Sequence, residues 1–309
     1  MKSTIILIAF LLLSIVVIPV ASLVGGQSIP LTAIFDAASD EAASMIFWQI
    51  RLPRACLAWI AGAGLALAGM AFQALFRNAL ATPFTLGVSS GASFGAAVGM
   101  RSGLGVLFFG FSDVSVGAMV GALLAIFLVY GLTRVKRDCS TATMLLAGVA
   151  VNFFFSSLIL LIQYTADFYD TFRILRWLMG GFQMVGFDAP LQALPFVIVG
   201  AGLLAALVSE LNLLTTGEEL AASRGVAVQR IKLLLFFSVS VMVGVIVSIC
   251  GPVGFVGLMC PHICRLLVGT DHRKLLPATL LFGGTFLVIC DTAARTIFSS
   301  TYLPVGICT

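Results

Sequence analysis

The sequence predicts an all-α membrane protein of many spans, and three observations carry that reading. Hydrophobic residues make up 60% of its 309 positions and charged residues only 10%, where a soluble domain carries about 25% charged residues. The apolar residues fall into runs of about 20, the length a helix needs to cross a bilayer. Gly, Pro and clusters of charge separate those runs. A soluble globular protein is thereby excluded. Disorder is excluded too, because this much apolar surface more than offsets the entropy of ordering the chain. The 17 Lys and Arg against 13 Asp and Glu leave a formal charge of +4, too small and too scattered for the basic stripe that nucleic acid demands. The seven cysteines are odd in number and lie mostly inside apolar runs, so they read as small hydrophobes rather than as a disulfide framework.

Nine runs qualify as spans: 4–24, 53–76, 84–100, 114–133, 141–163, 190–209, 231–250, 254–268 and 275–298. The first follows Lys2 and, from Ile5 to Val24, exceeds the roughly 7–15 residues of a signal-peptide core, so it is expected to be retained. The third carries Gly87, Gly91, Gly95 and Gly99 four residues apart, and the fourth repeats the interval at Gly117 and Gly121. Lipid offers no hydrophobic force between helices, so such stripes are expected to let backbones approach closely. At the head of the fifth, Ser140 and Thr141 suit a helix N-cap. The eighth is short and opens on Gly251-Pro252-Val253-Gly254, which should interrupt the helix and leave backbone groups to be satisfied inside the protein. In the ninth, Asp291 and Arg295 lie four apart on one helix face, where pairing would lower the cost of a charge in the membrane.

Lys and Arg set the orientation. With the N-terminus in the cytoplasm, eleven of them fall on the inner side, and six (Arg51, Arg54, Arg101, Arg173, Arg176 and Arg295) fall outside with most of the acids. Nine spans then place Thr309 outside. Between the sixth and seventh spans, on the inner side, a polar stretch runs from Asn212 to Gly225. Thr216 and Glu219 fit a capping box, Glu218 suits the positive end of a helix dipole, and Gly225 is a natural C-terminal stop. The result would be a cytoplasmic helix of about two turns, either a solvated connector or a place for a soluble partner to push.

The chemistry-bearing motifs argue against an enzyme. Cys260, His262 and Cys264 do not make a metal site, because on a helix His262 points away from the cysteine face and no fourth ligand is evident. No cofactor is expected either. Gly87-Val88-Ser89-Ser90-Gly91 matches G-x-S-x-G, but that motif needs a strand–turn–helix setting and a histidine partner. The phosphate-binding G-x-x-x-x-G-K-[ST] sequence is absent, so any ATP hydrolysis must come from another chain. The alternative is a secondary transporter driven by an ion gradient. Such proteins place acids and histidines inside the membrane, and here only the Asp291/Arg295 pair qualifies.

Several long motifs occur in a fixed order: Arg51-Leu52-Pro53-Arg54, Gly69-Met70-Ala71-Phe72-Gln73, Arg77-Asn78-Ala79-Leu80-Ala81-Thr82-Pro83, Leu86 to Ala92, and Leu145-Leu146-Ala147-Gly148. Trp177-Leu178-Met179-Gly180-Gly181 follows, then Gly217-Glu218-Glu219, Phe255-Val256-Gly257-Leu258 with Pro261-His262 and Arg265, Asp291 with Arg295, and Leu303-Pro304-Val305-Gly306. Taken together, over roughly 50–309, they resemble the FecCD family, permease subunits of bacterial ABC importers for iron-siderophores, haem and cobalamin. Asn78-Ala79 stands where the family more usually has Asn-Pro.

The resemblance implies an all-α importer-permease fold of ten spans, in which a last span would follow Thr309, so the chain is expected to stop early. It implies one transmembrane permease domain over 1–309 with a cytoplasmic coupling segment at 212–226. The implied setting is a bacterial inner membrane. The implied partners are a second permease subunit (a homodimer), cytoplasmic ATPase subunits and a periplasmic or lipid-anchored substrate-binding protein, besides membrane lipid. Gly217, Glu218, Glu219, Ala221, Arg224 and Gly225 match the helix that seats in the ATPase. Arg51, Arg54 and Arg295 match outward arginines that pair with acids on the binding protein; the alternative for Arg51 and Arg54 is interfacial snorkelling. Ser140 and Thr141 match a cytoplasmic gate, a role compatible with the N-cap.

Overall fold

A computed structural model describes residues 2–25, 30, 40–103, 112–135, 141–182, 184–296 and 305–309, and among them all regular structure is helical. The helices are α1 (Lys2–Leu23), α2 (Glu41–Met45), α3 (Leu52–Phe76), α4 (Val88–Ser102), α5 (Asp113–Val135), α6 (Thr141–Thr165), α7 (Phe168–Leu178), α8 (Asp188–Ala206), α9 (Val208–Thr216), α10 (Glu218–Ser223), α11 (Val228–Cys250), α12 (Val256–Val268), α13 (His272–Thr296) and α14 (Val305–Cys308). Each of the nine marked runs holds a helix among its described residues. Seven helices among the described residues are long and apolar enough to cross a membrane, whereas α4 and α12 have only 15 and 13 residues. A π-helical stretch, Ile46–Arg51, joins α2 to α3, so this span reaches back to Glu41, beyond the sequence's Pro53.

α3 is the hub, and its composition explains why. It is buried along almost its whole length, and Ala and Gly dominate its surface. Three of its glycines admit different neighbours. A Cβ on Gly62 would collide with Gly283 of α13, one on Gly64 would lie 2.5 Å from Ile246 of α11 and 3.0 Å from Val197 of α8, and one on Gly69 would enter Gly257 of α12. Packing at backbone contact replaces the missing hydrophobic drive. α1 is peripheral, with most side chains exposed. Its bonds to the bundle are specific: Trp59 Nε1 donates to Ser14 Oγ at 2.5 Å, and Phe10 meets Phe282 with ring centroids 5.2 Å apart.

The glycine stripes do what their spacing implied. A Cβ on Gly91 would sit 2.5 Å from Gly121 O, one on Gly117 2.5 Å from Gly95 O, and one on Gly99 2.9 Å from Asp113 O, so α4 and α5 touch backbone to backbone. Gly87 is the exception. It takes φ +77° at the head of α4 and packs on Gly148 and Val151 of α6.

Two local expectations are corrected. Thr216 and Glu219 do not form a capping box: Thr216 Oγ1 donates back to Leu213 O at 2.8 Å, and Gly217, at a positive φ of 133° that favours glycine, stands at the N-cap without a side-chain bond. A hydroxyl that can reach its own preceding turn satisfies itself there. The segment after the fifth span also holds a helix that the span reading passed over, α7, capped by Asp167 accepting from Asp170 N.

Candidate functional site

α3 and α13 run antiparallel, and each has 25 residues, about 38 Å of helix. They connect two ends of the bundle where the sequence-marked residues gather.

At one end lies the segment 212–226, for which the resemblance implies a coupling role. Its helix α10 closes with paired bonds, Gly225 N to Ala222 O at 2.9 Å and Val226 N to Ala221 O at 3.0 Å, and Gly225 takes φ +85°. This is the glycine stop expected from the sequence. Ala221 is buried beneath the helix, while Glu219, Leu220, Ala222, Ser223 and Arg224 are exposed. Glu218 faces inward: its Oε2 meets Lys232 Nζ of α11 at 2.6 Å, and Lys232 is almost wholly buried. The sequence reading gave Glu218 and Glu219 one role, and the structure divides them. A lysine inside an apolar run, at the second turn of a span, was the signal for that pair. Arg77, left-handed at φ 48° where α3 ends, comes within 3.8 Å of a Cβ placed on Gly217. Thr141 is the first residue of α6, and Ser140 lies outside the described residues.

At the other end Arg51, Arg54 and Arg295 converge. Arg54 grips Asp291 of α13 with Nη2 at 2.7 Å and Nε at 3.1 Å from Oδ1, a fork on one carboxylate. Arg295 adds Nε at 3.2 Å from Asp291 Oδ2 and donates to Ala21 O at 3.1 Å. Arg51, buried, donates to Leu23 O at 3.0 Å. Carbonyls at the C-terminus of a helix have no partners within it and carry the negative end of its dipole. Two arginines therefore close α1 while a third fixes the carboxylate. The intrahelical pair of Asp291 and Arg295 was legible from spacing. The Arg54 contact, 237 residues distant in sequence, was not.

Between the ends, the motif glycines meet. Gly180 and Gly251 are left-handed, and a Cβ on Gly251 would lie 2.6 Å from Trp177 O. Gly181 N donates to Cys250 O at 2.8 Å, which satisfies a carbonyl freed by the break after α11, as buried broken backbone requires. Gly306 closes against Met179 and Pro252. The non-glycine Phe255 follows at φ +58° with its ring exposed. Gln73 then ties α12 to α3: its Nε2 donates to Leu258 O at 3.3 Å and its Oε1 accepts from Arg265. Cys260 and Cys264 are buried and His262 is exposed.

Comparison with known proteins matches this geometry to a family. The model of the FecCD transport family covers residues 6–309. An uncharacterized ABC transporter permease protein of Bacillus subtilis, YvrB, is 41% identical over 92% of this chain and 84% of its own. The cobalamin import system permease protein BtuC of Halobacterium salinarum is 40% identical over 94% of this chain and 78% of its own. Among solved structures, a metal-chelate type ABC transporter in an inward-facing conformation superposes with a TM-score of 0.86 at 32% identity, covering 98% of this chain and 94% of that one. A helical bundle of apolar spans, matched over nearly its whole length, thus has its relatives: the chain is an ABC transporter permease and belongs to the FecCD transport family.

Proposed function

We propose that the chain is the permease of a binding-protein-dependent importer that carries a metal chelate (an iron-siderophore, haem or cobalamin) across a bacterial inner membrane, with its N-terminus in the cytoplasm. Residues 1–309 act as one transmembrane domain, paired with a second copy. ATP hydrolysis takes place on separate subunits. The observation that carries this reading is the coupling segment: a short helix stopped by Gly225 at φ +85°, seated by Ala221 and presenting Glu219, Leu220 and Arg224 to solvent.

The mechanism is alternating access. ATP binding closes the ATPases, α10 follows them, and the ion pair of Glu218 with Lys232 carries the movement into α11. Thr141 with Ser140 serves the inner gate. At the outer mouth Arg54 and Arg295 share the one Asp291 carboxylate, and the positive charge this pair leaves over attracts an acidic binding protein. Because Arg51, Arg54 and Arg295 already hold partners in this chain, their contribution to docking is a field that steers encounter more than a set of new contacts. The ion-gradient reading is weaker, since Asp291, the one acid it would use, is paired twice.

The test is reconstitution in vesicles with the ATPase and binding protein, offering each of the three chelate classes in turn. Uptake of one class that requires ATP and both partners is expected. Uptake that follows an ion gradient with no ATPase present would refute the proposal.

A further inference from the structure

The coupling segment touches a second helix besides α11. Asn212 of α9 inserts its amide into the turn that leads into α13. Its Oδ1 accepts from His272 N at 2.9 Å and from His272 Nδ1 at 2.7 Å, and its Nδ2 donates to Asp271 Oδ1 at 2.9 Å. The same Asp271 oxygen accepts from Arg273 N at 3.0 Å. The first N–H groups of a helix have no partners within it. Here His272 N, the first of α13, is bonded by a residue 60 positions away, and His272 is buried. α13 is thus capped in trans by the coupling segment. If α9 moves and α13 does not, a buried N–H and a buried imidazole lose their partner, a cost larger than that of never having made the bonds.

The other end of α13 carries Asp291, which Arg54 of α3 and Arg295 hold. His272 and Asp291 are 19 residues apart, about 28 Å along the helix. We infer that Asn212 is a positioning residue for transport: it pins the coupling segment to α13, so that a push on α10 reaches this rod and, through it, the charged outer mouth as well as α11. The inference rests on the proposed role of the coupling segment, but the pin itself can be tested without it.

Two measurements on the full chain separate the questions. In the permease alone, in nanodiscs, Asn212→Ala is expected to speed hydrogen exchange at His272 and Arg273 about tenfold while leaving the far end of α13 unchanged. In the reconstituted transporter the same variant is expected to keep ATPase binding and hydrolysis but to lower chelate imported per ATP hydrolysed by about fivefold or more. Should Asn212→Ala not fold, Asn212→Gln carries the same test with a smaller loss, because it keeps both the amide oxygen and the amide donor and displaces them by one methylene from His272 and Asp271. Unchanged exchange overturns the pin. Faster exchange with unchanged import per ATP overturns the transmission. A wild-type transporter that imports without hydrolysis would sink the importer reading instead, and the exchange result would still stand.

Discussion

The two ends of the α3–α13 pair hold charge in opposite ways. At the arginine end Asp291 is 1% exposed and Arg295 only 8%, and every cation there is engaged by a carboxylate or by a carbonyl of α1. At the coupling end Lys232 is buried but its partner Glu218 is 31% exposed, and the next residues present charge and a leucine to solvent. The first arrangement is a closed knot joining three helices, whereas the second is a hinge with one buried pin and one free face. Under the proposed function that asymmetry lets the exposed end be pushed from outside while α1, α3 and α13 move at the arginine end as one tied unit.

Substitutions can break the contrast in order of size. Asp291→Ala removes the one acid among the described residues that pairs with Arg54 and Arg295, and losing one partner of a buried pair costs about 3–5 kcal/mol. Thermal unfolding of the purified permease should show the largest drop of any single change proposed here, with α1 released first in hydrogen exchange. Glu218→Ala leaves Lys232 buried with its partner gone and is expected to cost about 1–3 kcal/mol, less because Glu218 is partly solvated. Adding Lys232→Met should recover most of that loss, since an apolar residue of similar length needs no partner.

Glu219→Lys sharpens the comparison from the other side. An exposed substitution of this kind shifts stability by no more than about 0.5 kcal/mol, yet it should abolish ATPase binding in a pull-down. Glu218→Lys should lose stability and binding together. The smallest effect belongs to the mouth: the rate at which the binding protein docks should fall as salt rises, while its dissociation rate changes little. A docking rate indifferent to salt would remove the steering role from the three arginines.

Most of the fold was legible because lipid imposes it. Apolar run length located nine helices, and glycine spacing anticipated the α4–α5 contact, because only small residues allow that approach. Side chains whose partners are remote in sequence escaped. Gln73 looks like an interruption in an Ala-rich run until α12 is laid against it. The partner that Arg54 holds within the chain, Asp291, comes into view only when α13 is laid against α3. Local rules also overreached: Thr216 has the spacing of a capping box, but its hydroxyl reaches Leu213 O first. Periodicity reports which face is apolar, and it carries no information on which distant polar group completes a site.

The measurement closest to the central claim is a pair of distances followed through the ATP cycle. Spin labels on a background with the seven cysteines replaced would be placed at Ser223 and Leu132 for the coupling end and at Val20 and Thr296 for the arginine end, all four exposed. In the assembled transporter the first distance should change when ATP binds, while the second stays constant because Arg51 and Arg295 hold α1 to the bundle. A constant distance at the coupling end, together with a moving arginine end, would contradict the account.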